Sequence, residues 1–277
     1  MKRFTSIIDA IKLAIFDLDG VIYRGNFLIP GVDKVIQELR KNSIKVVYNS
    51  NNSTATREMY VNRLSQMGII SDLKDIYTSA FITSEEISEI KKNANVYIIG
   101  EIGLKEEIKA KGHAIKSESD DYSTVDFVIV GLDREFNYKK LSFAQKCILE
   151  GKAEFYATNN DATLPMDNGL LPGAGVMVNA LEICTKTKPK ITFGKPNPYG
   201  IQKILRDYKI SPRDAVIFGD RVDTDIAAGN NAGIHTVLVL TGVTTKLDAE
   251  KLLENPNAEK SLIPDLIVNS LEEIFMP

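Results

Sequence analysis

Asp17 and Asp19 sit at the centre of the stretch AIFDLDGVIY in a chain of 277 residues. They are two carboxylates one residue apart, just past an apolar run. Desolvation and mutual repulsion oppose ionising both beside a hydrophobic core, so the pair predicts something that compensates it. Strand alternation points the two side chains to one side, and Gly20 lets the backbone approach a ligand closely while the chain turns. AVIFGDRVDTD repeats the device, with Asp220 just beyond a second apolar run and Asp223 and Asp225 following. A third polar turn, from Asn49 to Ser53, closes IKVVYN. In open parallel sheets ligands bind at the carboxyl ends of strands, so these turns are expected to converge on one crevice. Clustered hard oxygen ligands suit Mg²⁺, which takes one or two carboxylates and keeps positions for water and substrate phosphate. A calcium loop of the D-x-[DN]-x-[DN]-G type is absent, and so are a Walker loop, a GxGxxG turn after a strand and a GxSxG elbow.

The elements that must carry these turns are short runs of Ile, Val and Phe alternating with helical patterns. That alternation predicts the α/β class with a mostly parallel sheet. Val32, Val35, Ile36 and Leu39 follow i, i+3, i+4, i+7 spacing and predict a helix leading into IKVVYN. Ser53 or Thr54 is expected to cap the helix in TREMYVNRLSQM, with Gly68 at its left-handed end, and Thr83 with Glu86 to box the start of SEEISEIKK. A second α/β series starts near Asn93, which divides the chain into a core of 1–91 and 189–277 and an inserted module of 92–188. DATLPMDNGLLPGAG, rich in Pro and Gly, reads as an irregular loop over a site or between modules, and ITFGKP reads as a strand.

Composition narrows the function. With 44% hydrophobic and 26% charged residues the chain is globular, and a net charge of −3 gives no electrostatic footprint for nucleic acid. No apolar segment approaches a membrane span and no signal-peptide pattern opens the chain, so a cytoplasmic protein without a membrane partner is expected. Cys147 and Cys184 read as core thiols, and His113 and His235 as packed or surface residues. Arg221 and Asp223 read as a surface ion pair. Taken singly, Asp19 fits a turn aspartate, Ser50 and Asn51 fit helix caps, and Lys195 fits a solvated lysine.

In combination, DLDGVIY, YNSNNST, GKPNPY and GDRVDTDI, in that order, resemble the four motifs of the haloacid-dehalogenase-like phosphohydrolases. GLDREFNYKKL, ATNNDATLP and LLPGAGVMVNALE are similar to the NagD-like branch, which includes p-nitrophenylphosphatases and phosphoglycolate phosphatases and carries a large C2-type cap between the second and third motifs. The resemblance runs from about Leu13 to the C-terminus. It implies a Rossmann-like core with an inserted α/β cap, and a Mg²⁺-dependent phosphatase of small phosphomonoesters acting through an aspartyl-phosphate. Asp17 would be nucleophile, and Asp19 general acid and then base. Asp17, the Asp19 backbone carbonyl and Asp220 would hold the metal, with Asp225 supporting water or Lys195. Ser50, Asn51 and Lys195 would bind the phosphate. One departure from the motif is Ser50, where many relatives carry threonine and the hydroxyl is kept. Asn160, Asp161, Leu164 and Asn168 are the cap candidates for substrate selection, and the resemblance implies a homodimer through the cap. A phosphotransferase or mutase on the same core, and a non-catalytic phosphometabolite-binding protein, are the alternatives. Phosphoglycolate, nucleotide, pyridoxal and sugar phosphates all remain open as substrate.

Overall fold

The computed structural model describes residues 11–166 and 169–275. In chain order its strands are β1 (Leu13–Phe16), β2 (Tyr23–Arg24), β3 (Phe27–Leu28), β4 (Lys45–Ser50), β5 (Ile76–Thr78), β6 (Asn95–Ile99) and β7 (Ala114–Lys116). They continue as β8 (Phe127–Val130), β9 (Glu154–Ala157), β10 (Thr163–Met166), β11 (Gly169–Pro172), β12 (Ala215–Gly219), β13 (His235–Val239) and β14 (Leu266–Val268). The chain is α/β, and it divides into two compact units: 1–50, 61–77 and 195–277 form one, 51–60 and 78–194 the other.

The first unit is built on a six-stranded sheet of order β14-β13-β12-β1-β4-β5. The central strand β1 runs parallel to β12 on one side and to β4 on the other, with Phe16 level with both Phe218 and Tyr48. All four residues of β1 are buried, as the continuous apolar run LAIF requires of a strand covered on both faces. The rings of Phe16 and Phe218 stack at 4.7 Å, and the Asp17 N–H donates to the Phe218 carbonyl at 2.9 Å. This register brings Asp17, Asn49 and Gly219 to one level at the carboxyl edge. The helix Val32–Lys41 buries Val32, Val35, Ile36 and Leu39, as their spacing predicts.

The second unit has a four-stranded parallel sheet of order β7-β6-β8-β9. Tyr97, Val128, Val130 and Phe155 from the strands pack with Ala144, Cys147, Val178 and Leu181 from the helices Tyr138–Leu149 and Ala174–Thr185. Cys147 is a buried free thiol pushed up to about 12 by burial, and Cys184 is also free. His113 is packed: its Nδ1 accepts the Ala94 N–H at 3.0 Å and its Nε2 lies 2.8 Å from Ser88 Oγ.

Four local expectations are corrected. DATLPMDNGLLPGAG is not irregular throughout, because β10 and β11 pair antiparallel with Leu164 opposite Leu171. A two-stranded ribbon has free edges, so Pro165 and Pro172 cost it little, and Gly169 at φ 125° supplies the strained turn conformation. The helix Arg57–Gln66 is capped by Thr56, whose Oγ1 accepts the Met59 N–H at 3.3 Å, while Thr54 turns to Asn52. The next helix starts earlier than expected, at Ser79, with Thr78 accepting the Phe81 N–H. Thr83 lies inside it, with its hydroxyl donating to the Ser79 carbonyl. ITFGKP forms no strand beyond a single bridge from Thr192 to Ala157.

Candidate active site

The first unit gathers its buried charge around Lys195, which the sequence alone allowed to be a solvated side chain. The residue is 5% exposed. Its Nζ donates to Asp17 Oδ1 at 2.5 Å, to Asp225 Oδ1 at 2.5 Å and to the Asn49 carbonyl at 2.9 Å. Burial alone would depress this ammonium, but Asp17 and Asp225 hold it above its ordinary value, so it stays charged.

Each carboxylate is set by its own strand end. Asp17 follows β1 directly. Asp220 follows β12, and its Oδ2 accepts the Val243 N–H at 2.6 Å. Asp225 lies in a π-helical turn, Val222–Ile226, a geometry that recurs at functional sites. Its Oδ2 accepts the Arg221 N–H at 3.1 Å, which leaves Oδ1 for Lys195. The Arg221 guanidinium is spent on Asp223, at 3.0 and 2.7 Å, the ion pair expected from the sequence. Close packing around Asp220 depends on glycine. A Cβ on Gly20 or Gly242 would collide with its carboxylate, and Gly20 also needs its φ of 88°.

Asp17, Asp220 and Asp225 offer carboxylate oxygens that all lie within 4.8 Å of one another. The Lys195 ammonium faces three carboxylates, and the imbalance shows in the proton affinities of Asp17 and Asp220. Burial raises Asp17 well above the ordinary carboxylate range, with Lys195 opposing and Asp225 and Asp220 adding to it. Burial, then the charge of Asp225, pushes Asp220 up to about 7. Such a donor set, all hard oxygen and short of positive charge, fits a divalent cation such as Mg²⁺.

Asp19 differs from its neighbour. Its side chain reaches solvent. The protein packed around it still raises its carboxyl, with Arg63 and then Lys195 pulling the other way. Ser50 ends β4 with its side chain buried.

Asn51, expected at the phosphate, clusters with the second unit, as do the specificity candidates Asn160, Asp161 and Leu164. Its Nδ2 donates to the Asp161 carboxylate at 3.1 Å, and its carbonyl accepts from Ser79 Oγ at 2.5 Å and Asn159 Nδ2 at 2.8 Å. Asp161 is thereby held by Asn51, and its backbone carbonyl accepts the Gly175 N–H. Leu164 packs on the core of its own unit. Asn160 is exposed, and Asn168 lies outside the described residues.

Sequence reasoning missed Arg63, Thr241, Gly242 and Val243. TGV follows the apolar run IHTVLVL just as the other polar turns follow theirs, a signal that was present; a lone arginine in an amphipathic helix carries none.

Known proteins resemble this chain over most of its length. The family model for haloacid dehalogenase-like hydrolases matches residues 14–114, and a HAD-hydrolase-like model matches 192–274. An acid sugar phosphatase of Staphylococcus saprophyticus is 37% identical over 264 residues, 95% of this chain and 96% of that one. Among solved structures, a p-nitrophenyl phosphatase from Archaeoglobus fulgidus superposes with a TM-score of 0.87 at 32% identity, over 95% of this chain and 98% of its own. A glycerol phosphate phosphatase from Mycobacterium tuberculosis, solved in complex with magnesium, gives 0.86 at 29% identity, over 97% and 77%.

Proposed function

The chain belongs to the haloacid-dehalogenase-like hydrolases, within their NagD and p-nitrophenylphosphatase branch, and from that premise we propose that it hydrolyses small phosphomonoesters in a Mg²⁺-dependent reaction. It is a phosphoric monoester hydrolase. The observation that carries the finer reading is Lys195 bridging Asp17 and Asp225 beside Asp220 in one buried cluster.

In this reading Asp17 attacks phosphorus and becomes the aspartyl-phosphate, which splits one difficult displacement into two. The 2.5 Å contact with Lys195 favours the ionised nucleophile against the burial that opposes it. Asp19, free to reach solvent, gives its proton to the leaving oxygen and then takes one from the hydrolytic water. The Ser50 hydroxyl donates to a phosphoryl oxygen, and Lys195 offsets the charge developing there. Asn51, whose amide donates to Asp161, would add a further backbone or side-chain donor to the phosphate. Asp17, the Asp19 carbonyl and Asp220 would hold Mg²⁺, and Asp225 would position Lys195. The cation would supply charge neutralisation that draws a phosphate dianion to an acidic site.

Relatives named acid sugar phosphatase and glycerol phosphate phosphatase support polyol and sugar phosphates as substrates. We assign substrate selection to the inserted segment 92–188, where Asn160 is exposed while Asp161 and Leu164 are half-buried. Among the described residues no helix is long and apolar enough to cross a membrane, and a cytoplasmic enzyme is part of this reading. The decisive experiment measures phosphate release from p-nitrophenyl phosphate with Mg²⁺. The Asp17→Asn variant is expected to fall to background, and full turnover by that variant would overturn the assignment.

A further inference from the structure

Asp19 is asked to aim a proton at the leaving oxygen, yet among the described residues none hydrogen-bonds its carboxyl. Its direction is therefore inherited from the backbone. That backbone turns at once into a small hairpin: Asp19 bridges Tyr23, the Gly20 N–H donates to the Tyr23 carbonyl at 2.8 Å, and β2 pairs antiparallel with β3. A two-residue pairing is marginal by itself and needs support from outside.

The support comes from two directions. Thr241 Oγ1 donates to the Gly20 carbonyl at 2.6 Å, and the Arg24 guanidinium donates to the Thr241 carbonyl. On the other side the Arg63 guanidinium lies over the ring of Tyr23, 4.0 Å from its centroid, and donates to the carbonyl of Gly25 at the hairpin tip. Tyr23 is fully buried, so the stacked cation holds a ring that cannot move away.

We propose that Arg63 is a positioning residue for Asp19, its guanidinium pinning the hairpin that sets the direction of the Asp19 carboxyl. The proposal rests on the phosphatase reading above and goes beyond it, since Arg63 acts on the hairpin and is not among the residues assigned to phosphate or cation. Its consequence depends on the leaving group. When the bond from phosphorus to an alkyl oxygen breaks, the departing alkoxide needs the proton of Asp19; p-nitrophenolate leaves without it. A misdirected Asp19 slows hydrolysis of the aspartyl-phosphate alike for both substrates, but in the step that forms it the penalty falls selectively on alkyl phosphates.

The test compares kcat/KM, which reports the step that forms the aspartyl-phosphate, on glycerol phosphate and on p-nitrophenyl phosphate for Arg63→Met and Arg63→Lys. Small misplacements of a catalytic group cost up to about a hundredfold, so Arg63→Met is expected to lose about tenfold more kcat/KM on the alkyl ester than on the aryl one. Arg63→Lys keeps the cation over the ring and is expected to recover part of the difference. Turnover of p-nitrophenyl phosphate reports that each variant is folded. An equal loss on both substrates, whether from unfolding or from a general defect, would overturn the proposal, as would no loss on either. Wild-type protein that releases phosphate from neither substrate would instead overturn the phosphatase reading itself.

Discussion

At the scale of single residues the buried cluster turns on Lys195, whose ammonium is placed against both Asp17 and Asp225. Removing one partner of a buried pair leaves an uncompensated charge, which is far costlier than the pair is stabilising. The three carboxylates still exceed the cation, and that excess makes a pH prediction. Asp220 is pushed up from its ordinary 3.8 to about 7, so folding favours its protonated form. Its contribution to stability is complete below the unfolded value and is lost as pH rises through about 7, the same sign as for the raised Asp17. Metal-chelated protein is thus expected to melt lower at about pH 8 than at about pH 5.5. The difference should shrink in Asp220→Asn, and Mg²⁺ should abolish it in the wild type. Thermal melts across that range check all three. The acidic residues were legible from their place after apolar runs. Burial of Lys195 was not, since nothing local distinguishes a lysine before a proline from a solvated one.

At the scale of elements, the site is a set of strand ends brought level by register. Phe16 aligns with Tyr48 and Phe218, so the residues that follow each strand share one edge of the sheet. Glycines at the adjoining turns let the chain come close. Gly242 has no room for a side chain beside the Asp220 carboxylate. Gly242→Ala is therefore expected to displace that carboxylate, costing about 1–3 kcal/mol of stability by overpacking and a larger share of phosphatase turnover. Denaturant unfolding and steady-state kinetics on one preparation separate the two effects. Most of the helices and strands were legible from period and capping chemistry. The misses were local: Thr56 caps where Ser53 or Thr54 was expected, and the Thr54 hydroxyl instead donates to Asn52 at 2.8 Å. The pairing of β10 with β11 was hidden by the prolines and glycines of that segment.

At the scale of the molecule, two units carry separate hydrophobic cores, and the chain crosses between them more than once. A defect confined to the core of the second unit should therefore act on stability before chemistry. Leu181 is fully buried there, and Leu181→Ala is expected to cost about 2–5 kcal/mol while leaving kcat for p-nitrophenyl phosphate nearly unchanged below the melting transition. Calorimetry paired with kinetics at low temperature tests it. The sequence by itself determined the α/β class, the order of its elements and which carboxylates would stand at strand ends, because period and polarity are local properties of the chain. Only the tertiary structure decided that Lys195 is buried between Asp17 and Asp225, that Asp161 holds Asn51, and that Arg63 reaches the hairpin behind Asp19. Those contacts join residues 30 to 178 positions apart or groups with no motif between them. They follow from parallel register and helix packing, which no short stretch of sequence encodes.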